Sequence, residues 1–525
     1  MNALVDAYFR HSHNQPYSYF HEASFRERFA FGLLPKCLIY AVFASAIRFV
    51  DLEYFRGTSI QAIEEYARSA WLSILTDHMV AENCPNLYVA QATNMLAIVD
   101  FTAGRTSSGW LKIGLAVRIA QDLQLMHEPK STLGLTASEE EERRRTFWSI
   151  YLLDKLVSCG QGRPPAIADE DCHVQLPCTQ NAFSSGIIPK TAETLHSLLG
   201  WNTTPDGTSA VGSAFSLVVM SGSALGRCAR YGLHQRDVQD ALPWDSKSEF
   251  ASHGSTLLLV EHHLQAEMQP LSTVAARHRR ADGTVDHDVT SHIVFARTTF
   301  HLAYCLLNHS FLLRLRLQKL KCRSPPNFLT QTSEVCLKHA RGLIELLGDA
   351  SAAGLHVQSS FYAYSIAVAG SLLSLGANEA RLEHREPDPK TVAAHQLSLN
   401  MLQEIGQIWE HASKMYFQLL LFDNQGLSLA QSLLNHPSQE MNPVVEAVFW
   451  SMVNYDTMCN STGPVETLLG SVPLDQITTQ MTDQISEQIT LPGTVDLAMS
   501  FTSDGECFPV TVADSEDPAS SYPLF

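Results

Sequence analysis

Long segments with apolar residues at a spacing near 3.6 dominate this chain, and such spacing predicts α-helices. Clear examples lie at 35–49, 87–101, 110–125 and 361–377. The segment 110–125 carries two apolar stripes, which indicates burial on more than one side, as in a domain with several layers of helices. No convincing run of alternating apolar and polar residues appears between these segments. The pattern predicts an all-α fold, a large multi-helix domain.

The clearest predicted helix start lies just before residue 140. Thr136 or Ser138 can act as the N-cap, with Glu139 or Glu141 three residues later. Glutamates in the first turn favour the positive end of the helix dipole. We therefore predict that a helix begins here.

The same helix then changes from charged to apolar. Arg143, Arg144 and Arg145 each follow a glutamate by four residues, the order that favours ion pairs on a helix surface. Phe147 and Trp148 come next, and we expect both in the core. We expect the arginines to form ion pairs at the surface.

The chain divides into three parts. Residues 1–240 form a first helical region with its core motifs at 109–177, and residues 241–455 continue the helical domain. From about residue 456 the composition changes to Thr, Ser, Asp, Gln and Gly with isolated apolar residues. This composition predicts a largely disordered acidic tail over 456–525. Shorter linkers are predicted at 277–288 and 323–333.

The composition is that of a globular protein with a large core. Of 525 residues, 45% are hydrophobic and only 17% are charged, which excludes wholesale disorder. The net charge is −18, and residues 415–525 contain fourteen acidic and no basic residues. Such a charge distribution repels phosphate, so we do not expect this chain alone to bind nucleic acid.

The cysteines and the apolar segments limit the other classes. Eleven cysteines are scattered without any Cys-x-x-Cys, which argues against a disulfide framework and predicts a reducing compartment, cytosol or nucleus. The uncharged stretch 361–377 contains several small and polar residues. It therefore favours a buried core helix over a membrane span, and no targeting signal is recognised.

Enzyme motifs fail at named residues, so we predict no enzyme. Gly160-Gln-Gly162 begins like a dinucleotide fingerprint, but Pro165 stands where the third glycine is needed. The acidic triplet 169–171 is interpreted as a solvated loop rather than a metal site. Cys172, His173 and Cys178 lack the spacing of a zinc motif, and we interpret the cysteines as buried thiols.

Several motifs occur in an order and spacing that are similar to a known family. They are Gly109-Trp-Leu-Lys-Ile-Gly-Leu-Ala-Val-Arg, then Arg143-Arg-Arg-Thr-Phe-Trp-Ser-Ile-Tyr-Leu-Leu-Asp154, then Gly162-Arg-Pro-Pro, and 169–177. Together they resemble the fungal-specific transcription factor regulatory domain, the helical middle region of fungal binuclear zinc cluster activators of the xylanolytic-activator type. The resemblance covers about residues 1–450.

The resemblance implies which residues matter and what the chain lacks. The family-motif positions, taken as regulatory candidates, are Arg144, Arg145, Phe147, Trp148, Asp154, Gly162, Arg163 and Pro164. Zinc belongs to the family's DNA-binding module, whose six cysteines are absent here, so no cofactor is expected in this chain. Either the gene model is truncated or the regulator has no DNA reader of its own.

The turn at Gly162-Arg-Pro-Pro follows the arginine-rich helix, because proline blocks helical continuation. We expect Arg163 to anchor this turn through the acidic side of 169–171 or through a backbone carbonyl.

The favoured hypothesis is a nuclear regulator of genes transcribed by RNA polymerase II. Its helical domain responds to a ligand or partner, and its tail activates by binding a coactivator. The candidate tail anchors are Leu468, Leu469, Leu474, Ile477, Phe501 and Phe508. A homodimer or heterodimer is compatible with the resemblance, and DNA would be reached only through the missing module or a partner. One alternative is a co-regulator without DNA binding that dimerises with a full-length relative; a remote one is a helical enzyme or ligand carrier.

Overall fold

The computed structural model describes residues 1–80, 85–189, 193–200, 212–234, 241–322, 324–434 and 440–460. Within these ranges the regular structure is helical, and the only β-pairs are two isolated bridges, Gln175 with Thr194 and Arg279 with Val285. The predicted all-α fold is therefore confirmed. The tail predicted at 456–525 lies outside the described residues from 461 onward, and so do its six anchor candidates.

The first half of the chain contributes nine α-helices to the described ranges. They are α1 Asn2–His11, α2 Glu22–Ala30, α3 Lys36–Ala46, α4 Ser59–Ile74, α5 Leu87–Thr102, α6 Thr106–Asp122, α7 Ala137–Val157, α8 Gln180–Ser185 and α9 Leu195–Leu199. Short 3₁₀ turns add to them at Ile47–Phe49, Glu53–Phe55, Ser131–Leu133 and Asp169–Asp171, and a π-helical turn at Leu75–Val80.

The second half contributes the longer helices. They are α10 Ala214–Leu233, α11 Glu249–Leu264, α12 Leu271–Arg277, α13 His287–Leu307, α14 Ser310–Leu320, α15 Pro326–Ala352, α16 Phe361–Leu382, α17 Pro389–Gly406, α18 Glu410–Asn424, α19 Gly426–Leu434, α20 Pro443–Ser451 and α21 Tyr455–Cys459. A further 3₁₀ turn lies at Gln265–Glu267.

One continuous hydrophobic core joins these helices from Leu4 to Cys459. Helix α10 packs along α13, and α7 is contacted by α5, α6 and α10. Gly226 of α10 allows this close approach, because a Cβ there would lie 2.9 Å from Cδ of Lys155 on α7. The arginine-rich helix is thus surrounded by other helices, which positions the site described below.

Helix α16 tests the membrane interpretation of 361–377. Its residues from Phe361 to Leu375 are all buried, and α15, α17, α18 and α19 pack around it. Among the helices described here, none combines the length and hydropathy needed to cross a bilayer. The predicted core helix is confirmed.

One predicted boundary differs from the structure. The linker predicted at 323–333 is wrong over most of its length, since α15 begins at Pro326. Proline is tolerated in the first turn of a helix, where its missing N–H needs no partner. The chain before this point forms two consecutive helices, α13 and α14, which are separated at Asn308 and His309.

Candidate functional site

Helix α7 begins at a capping box, as predicted. The Thr136 hydroxyl accepts a hydrogen bond from the Glu139 N–H at 3.3 Å, and the Glu139 carboxylate accepts one from the Thr136 N–H at 2.9 Å. This cap fixes the register of the helix. The segment 166–180 then runs antiparallel along α7 and is held by side chains from successive turns of the helix.

Arg145 holds the far end of that segment and is buried, with a relative exposure of 1%. Its Nε donates to Glu141 at 2.9 Å, and its other nitrogens donate to the Ser18 hydroxyl, the Gln180 side chain and the Cys178 carbonyl. All of these contacts are 2.7–2.9 Å long. Arg145 therefore ties the N-terminal segment and the loop after 177 to α7.

Arg144 makes a second ion pair one position along the helix. Its Nε and one terminal nitrogen donate hydrogen bonds to the Glu128 carboxylate at 2.5–3.1 Å. Glu128 also accepts a hydrogen bond from the Gln175 N–H at 2.9 Å. The predicted ion pairs are confirmed for these two arginines, whereas Arg143 makes no ion pair among the described residues and donates to the Leu123 carbonyl instead. The predicted surface position is wrong for Arg144 and Arg145, because their guanidinium groups are buried by 175–180.

Phe147 and Trp148 lie in the core, as expected, and both are fully buried. The Trp148 indole N–H donates to the Gln175 carbonyl at 2.8 Å. Trp148 therefore packs in the core and also holds the same segment that Arg144 fixes through Glu128.

Asp154 closes the turn that follows α7. Its carboxylate accepts the backbone N–H groups of Ala166 at 2.9 Å and of Ile167 at 3.0 Å. Burial raises the pKa of Asp154, and these hydrogen bonds offset only part of that effect. Asp154 is thus a structural acceptor that fixes the chain after Pro165.

Asp169 is part of a largely buried ionic cluster, which corrects the predicted solvated loop at this residue, whereas Glu170 and Asp171 are exposed as predicted. Its carboxylate lies 3.0 Å from the Lys155 ammonium and 2.9 Å from the Arg227 guanidinium. The Tyr151 and Ser223 hydroxyls each donate to it at 2.7 Å. Burial alone would raise the pKa of Asp169, but the two cations and the hydroxyls outweigh burial and lower it to about 2.

The motif turn, residues 159–165, carries the remaining predicted residues. Gly162 has φ +77°, which glycine adopts without strain, and Gly162 and Pro164 are exposed. Arg163 is buried and donates to the Thr106 carbonyl at 2.8 Å. The predicted anchoring of Arg163 to a backbone carbonyl is confirmed. The alternative contact with 169–171 is wrong, because the Asp169 carboxylate is paired with Lys155 and Arg227.

The partner of Arg163 comes from the end of the described chain. Its guanidinium lies 2.6 Å from the Asp456 carboxylate. The Gln161 N–H donates to the Asn454 side chain, and the Tyr455 N–H donates to the Cys159 carbonyl, both at 3.1 Å. Residues 454–460, the docking segment, are therefore seated on the motif turn.

Tyr455 anchors the docking segment in the core. Its ring lies 4.7 Å from the Tyr364 ring, 4.9 Å from the Phe101 ring and 5.3 Å from the Phe361 ring, measured between centroids. Such aromatic contacts add to the stabilisation from burial alone. The segment is thus held by both an ion pair and a buried aromatic side chain.

Sequence reasoning missed the acidic partners of the motif arginines, Glu128 and Asp456. Neither belongs to a motif, and both contacts depend on chain reversals that local spacing does not encode. Glu141 was predicted as a capping residue and as the glutamate four residues before Arg145, and it also accepts the Cys178 N–H at 2.9 Å.

The two cysteines considered above for zinc are buried thiols. Burial, the largest cause, raises the pKa of Cys172 and of Cys178 to about 12, so neither is a thiolate near neutral pH. Among the described residues, no group of three His, Cys, Asp or Glu side chains has a geometry that could hold a metal ion.

A cleft of about 300 Å³ opens beside the Asp169 cluster. It lies between the chain after the motif turn and helices α10, α11 and α14, and is lined by charged residues of both signs. The nearby arginines Arg227 and Arg230 add to burial in lowering the pKa of His253 to about 4.

Comparison with known proteins identifies the class of domain that this architecture defines. Residues 5–250 match the family described as the fungal specific transcription factor domain. The matched region contains the whole of α7, the motif turn and the 166–180 segment. The resemblance inferred from the motifs is confirmed.

The similar proteins include named transcription factors. The chain is 24% identical to the Zn(2)-C6 fungal-type transcription factor FTF1c of Fusarium oxysporum f. sp. lycopersici over 430 residues, 77% of this chain and 43% of the relative. It is 30% identical over 195 residues to a transcriptional regulatory protein of Schizosaccharomyces pombe, covering 35% of this chain and 19% of that protein.

A third relative is the pigment biosynthesis transcriptional activator pigB of Monascus ruber. It is 31% identical over 160 residues, which are 29% of this chain and 28% of the activator. The matched regions span less than half the length of each of these three relatives.

Proposed function

We propose that this chain is a fungal regulator of transcription by RNA polymerase II, in which a helical domain controls an acidic activating segment at 456–525. The match of residues 5–250 to the fungal specific transcription factor domain supports the regulatory role. The segregation of fourteen acidic residues into 415–525, without one basic residue, supports activation by the tail. The proposed location is the nucleus, and the proposed partner is a coactivator.

The observation that carries the mechanism is the docking segment on the motif turn. Asn454, Tyr455 and Asp456 all contact residues 159–163, and the acidic segment begins at this point of the chain. A ligand or partner that loosens the motif turn would therefore change how the start of the acidic segment is held. We propose that this coupling regulates access of the coactivator to the tail.

Reporter fusions test the proposal. Residues 456–525 fused to an unrelated DNA-binding module should activate a reporter gene, and silence would contradict activation by the tail. The full chain fused to the same module should be less active. In the full-chain fusion, Arg163→Gln should raise the reporter signal, whereas Arg56→Gln, which removes an exposed ion pair with Asp51, should leave it unchanged.

DNA recognition is proposed to come from outside these 525 residues or from a partner chain, because they contain no Cys-x-x-Cys and carry a net charge of −18. The same observation favours a second candidate function, a co-regulator that dimerises with a full-length relative. A gel-shift experiment with the purified chain distinguishes the two: sequence-specific binding without a partner excludes the co-regulator.

A further inference from the structure

Arg48 is a cation without an anion in the described part of the chain. It lies in the 3₁₀ turn that ends α3, and its guanidinium stacks over the Trp409 ring at 4.0 Å from the centroid. Within the described residues it donates no hydrogen bond, no carboxylate oxygen lies within 4.0 Å of it, and its Nε is buried. Burial, with no compensating charge nearby, lowers the pKa of Arg48 to about 10.

The arginines of the motif region differ from Arg48 in this respect. Arg144 is paired with Glu128, Arg145 with Glu141 and Arg163 with Asp456. A charge removed from water is costly unless an opposite charge or hydrogen bonds compensate it. Stacking on an aromatic ring supplies only part of that compensation. Arg48 therefore has the capacity to bind an anion.

Arg48 lines a cavity of about 50 Å³. Tyr8, Tyr17 and Tyr19 line the same cavity. The hydroxyls of Tyr8 and Tyr17 make no hydrogen bond among the described residues, and the Tyr19 hydroxyl accepts one from Asn94, which leaves its own proton free to donate. Burial raises the pKa of all three tyrosines, so their hydroxyls stay protonated and donate.

One side of the wall is apolar, while polar residues such as Gln15 and Gln358 line other parts of it. Met95, Ile98 and Val99 of α5 form an apolar side. A volume of about 50 Å³ corresponds to roughly four water positions. We propose that this cavity binds a small aliphatic carboxylate: the carboxylate group pairs with Arg48 and accepts from the tyrosine hydroxyls, and a short alkyl group contacts α5.

Phosphate fits this wall less well. It presents oxygens in every direction, and the apolar side offers them no donor, so burial there would cost free energy. A carboxylate has one polar end and one apolar end, which matches the two sides of the cavity.

The cavity also connects the two ends of the domain. Tyr8 and Arg48 belong to the part that matches the family, whereas Gln358 lies just before α16 and Trp409 just before α18. A bound carboxylate would therefore stabilise the contact between these parts. In the proposed regulator, a carboxylate that stabilises this contact would act as a small-molecule effector. The effector role rests on the proposed function, whereas the binding site itself does not.

Thermal unfolding of the purified full chain tests the site. Acetate, propionate and butyrate are compared with chloride and phosphate at equal ionic strength and pH. We expect at least one carboxylate to raise Tm in a saturable way, while chloride and phosphate do not. Isothermal calorimetry with that carboxylate gives the Kd. The absence of a rise with all three carboxylates, or an equal rise with phosphate, would overturn the proposal.

Variants then assign the binding to Arg48. Arg48→Met should weaken the carboxylate about tenfold or more, because a charged hydrogen-bond donor is lost. In chloride its Tm should not fall below that of the wild type, since a half-buried charge without a paired anion is removed. Arg56→Met, which removes an exposed arginine paired with Asp51, should retain the wild-type Kd.

Tyr17→Phe keeps Arg48 and the shape of the cavity and removes one hydroxyl. We expect a smaller loss of affinity, about threefold to tenfold. If Arg48→Met fails to fold, the Kd of Tyr17→Phe for the carboxylate tests the assignment instead. An unchanged Kd in both variants would show that the carboxylate binds elsewhere and would overturn the assignment.

Discussion

The Arg163 guanidinium and the Asp456 carboxylate lie 2.6 Å apart and join the family motif to the last helix of the described chain. Their side chains are 10% and 22% exposed, so the pair is largely shielded from water. The two atoms are close but not aligned as a hydrogen bond, which makes the contact chiefly an ion pair. Arg163 also donates to Thr106, so its position does not depend on Asp456 alone.

A double-mutant cycle with Arg163→Met and Asp456→Asn measures this relationship. Because the pair is shielded, we expect a coupling free energy of about 1 kcal/mol in urea unfolding. Hydrogen exchange of the 455–460 amides should accelerate in both single variants. The exposed pair Arg56–Asp51 serves as a control and should couple by less than about 0.5 kcal/mol. Equal coupling in the two cycles would contradict the shielded ion pair.

Arg145→Met should be among the most destabilising changes in α7. It leaves the buried Glu141 carboxylate without its closest cation and removes the donors to Ser18, Gln180 and Cys178. We expect a loss of about 3–5 kcal/mol in the free energy of unfolding, measured by urea denaturation. Arg118→Met, on the exposed face of α6, is the control. A loss below about 1 kcal/mol would show that the network at Arg145 is dispensable.

Asp169 should contribute acid sensitivity. Its folded pKa is lowered from 3.8 to about 2, so its contribution to stability is present above pH 4 and is lost as the pH falls through 2. Asp169→Asn should therefore cost about 2 kcal/mol at pH 7, and the difference from wild type should shrink below pH 4. Urea unfolding at several pH values checks this, with exposed Asp171→Asn as the control. A difference that stays constant with pH would contradict it.

Glu142 should act in the opposite direction and at higher pH. It is buried, and burial raises its pKa from 4.5 to about 7, against a hydrogen bond from the His21 N–H and the charge of Arg28. The folded state therefore binds a proton more tightly than the unfolded state, so the contribution of Glu142 decreases as the pH rises from about 4.5 through 7.

The test of this sign is Glu142→Gln, which keeps an oxygen for the His21 N–H. Relative to wild type, the variant should gain about 2–3 kcal/mol in unfolding free energy between pH 5 and pH 8. Exposed Glu27→Gln on α2 should show no such trend. If the stability of Glu142→Gln relative to wild type fell with rising pH, the charge of Arg28 would have a larger effect on the pKa of Glu142 than burial has.

The sequence predicted most of the fold because its signals are local. The cap at Thr136, the apolar character of 361–377 and the burial of Trp148 all follow from residues within one or two helical turns. The start of α15 was missed because Pro325 and Pro326 mark a loop and a helix start equally well. Local pattern cannot distinguish the two without the packing of α15 on α13 and α16.

The site was predicted only in part because its partners are distant in sequence. The arginines of α7 were recognised as ion-paired, but their burial depends on the 166–180 segment folding back. Arg48 has no motif around it, and its significance appears only when Trp409 and the three tyrosines are brought together. A charged residue such as Arg48, whose neighbours are distant in the sequence, can be recognised as a candidate ligand-binding residue only from the structure.

The docking of Asn454 against Gln161, 293 residues apart in the chain, has a consequence for synthesis on the ribosome. At about 5–20 residues per second, the motif turn emerges roughly 15–60 seconds before its cover exists. During that interval Phe101, one of the rings that later enclose Tyr455, is without it, and Phe361 and Tyr364 join it only as they are synthesised. This gives chaperones a defined period and a defined surface to act on in the nascent protein.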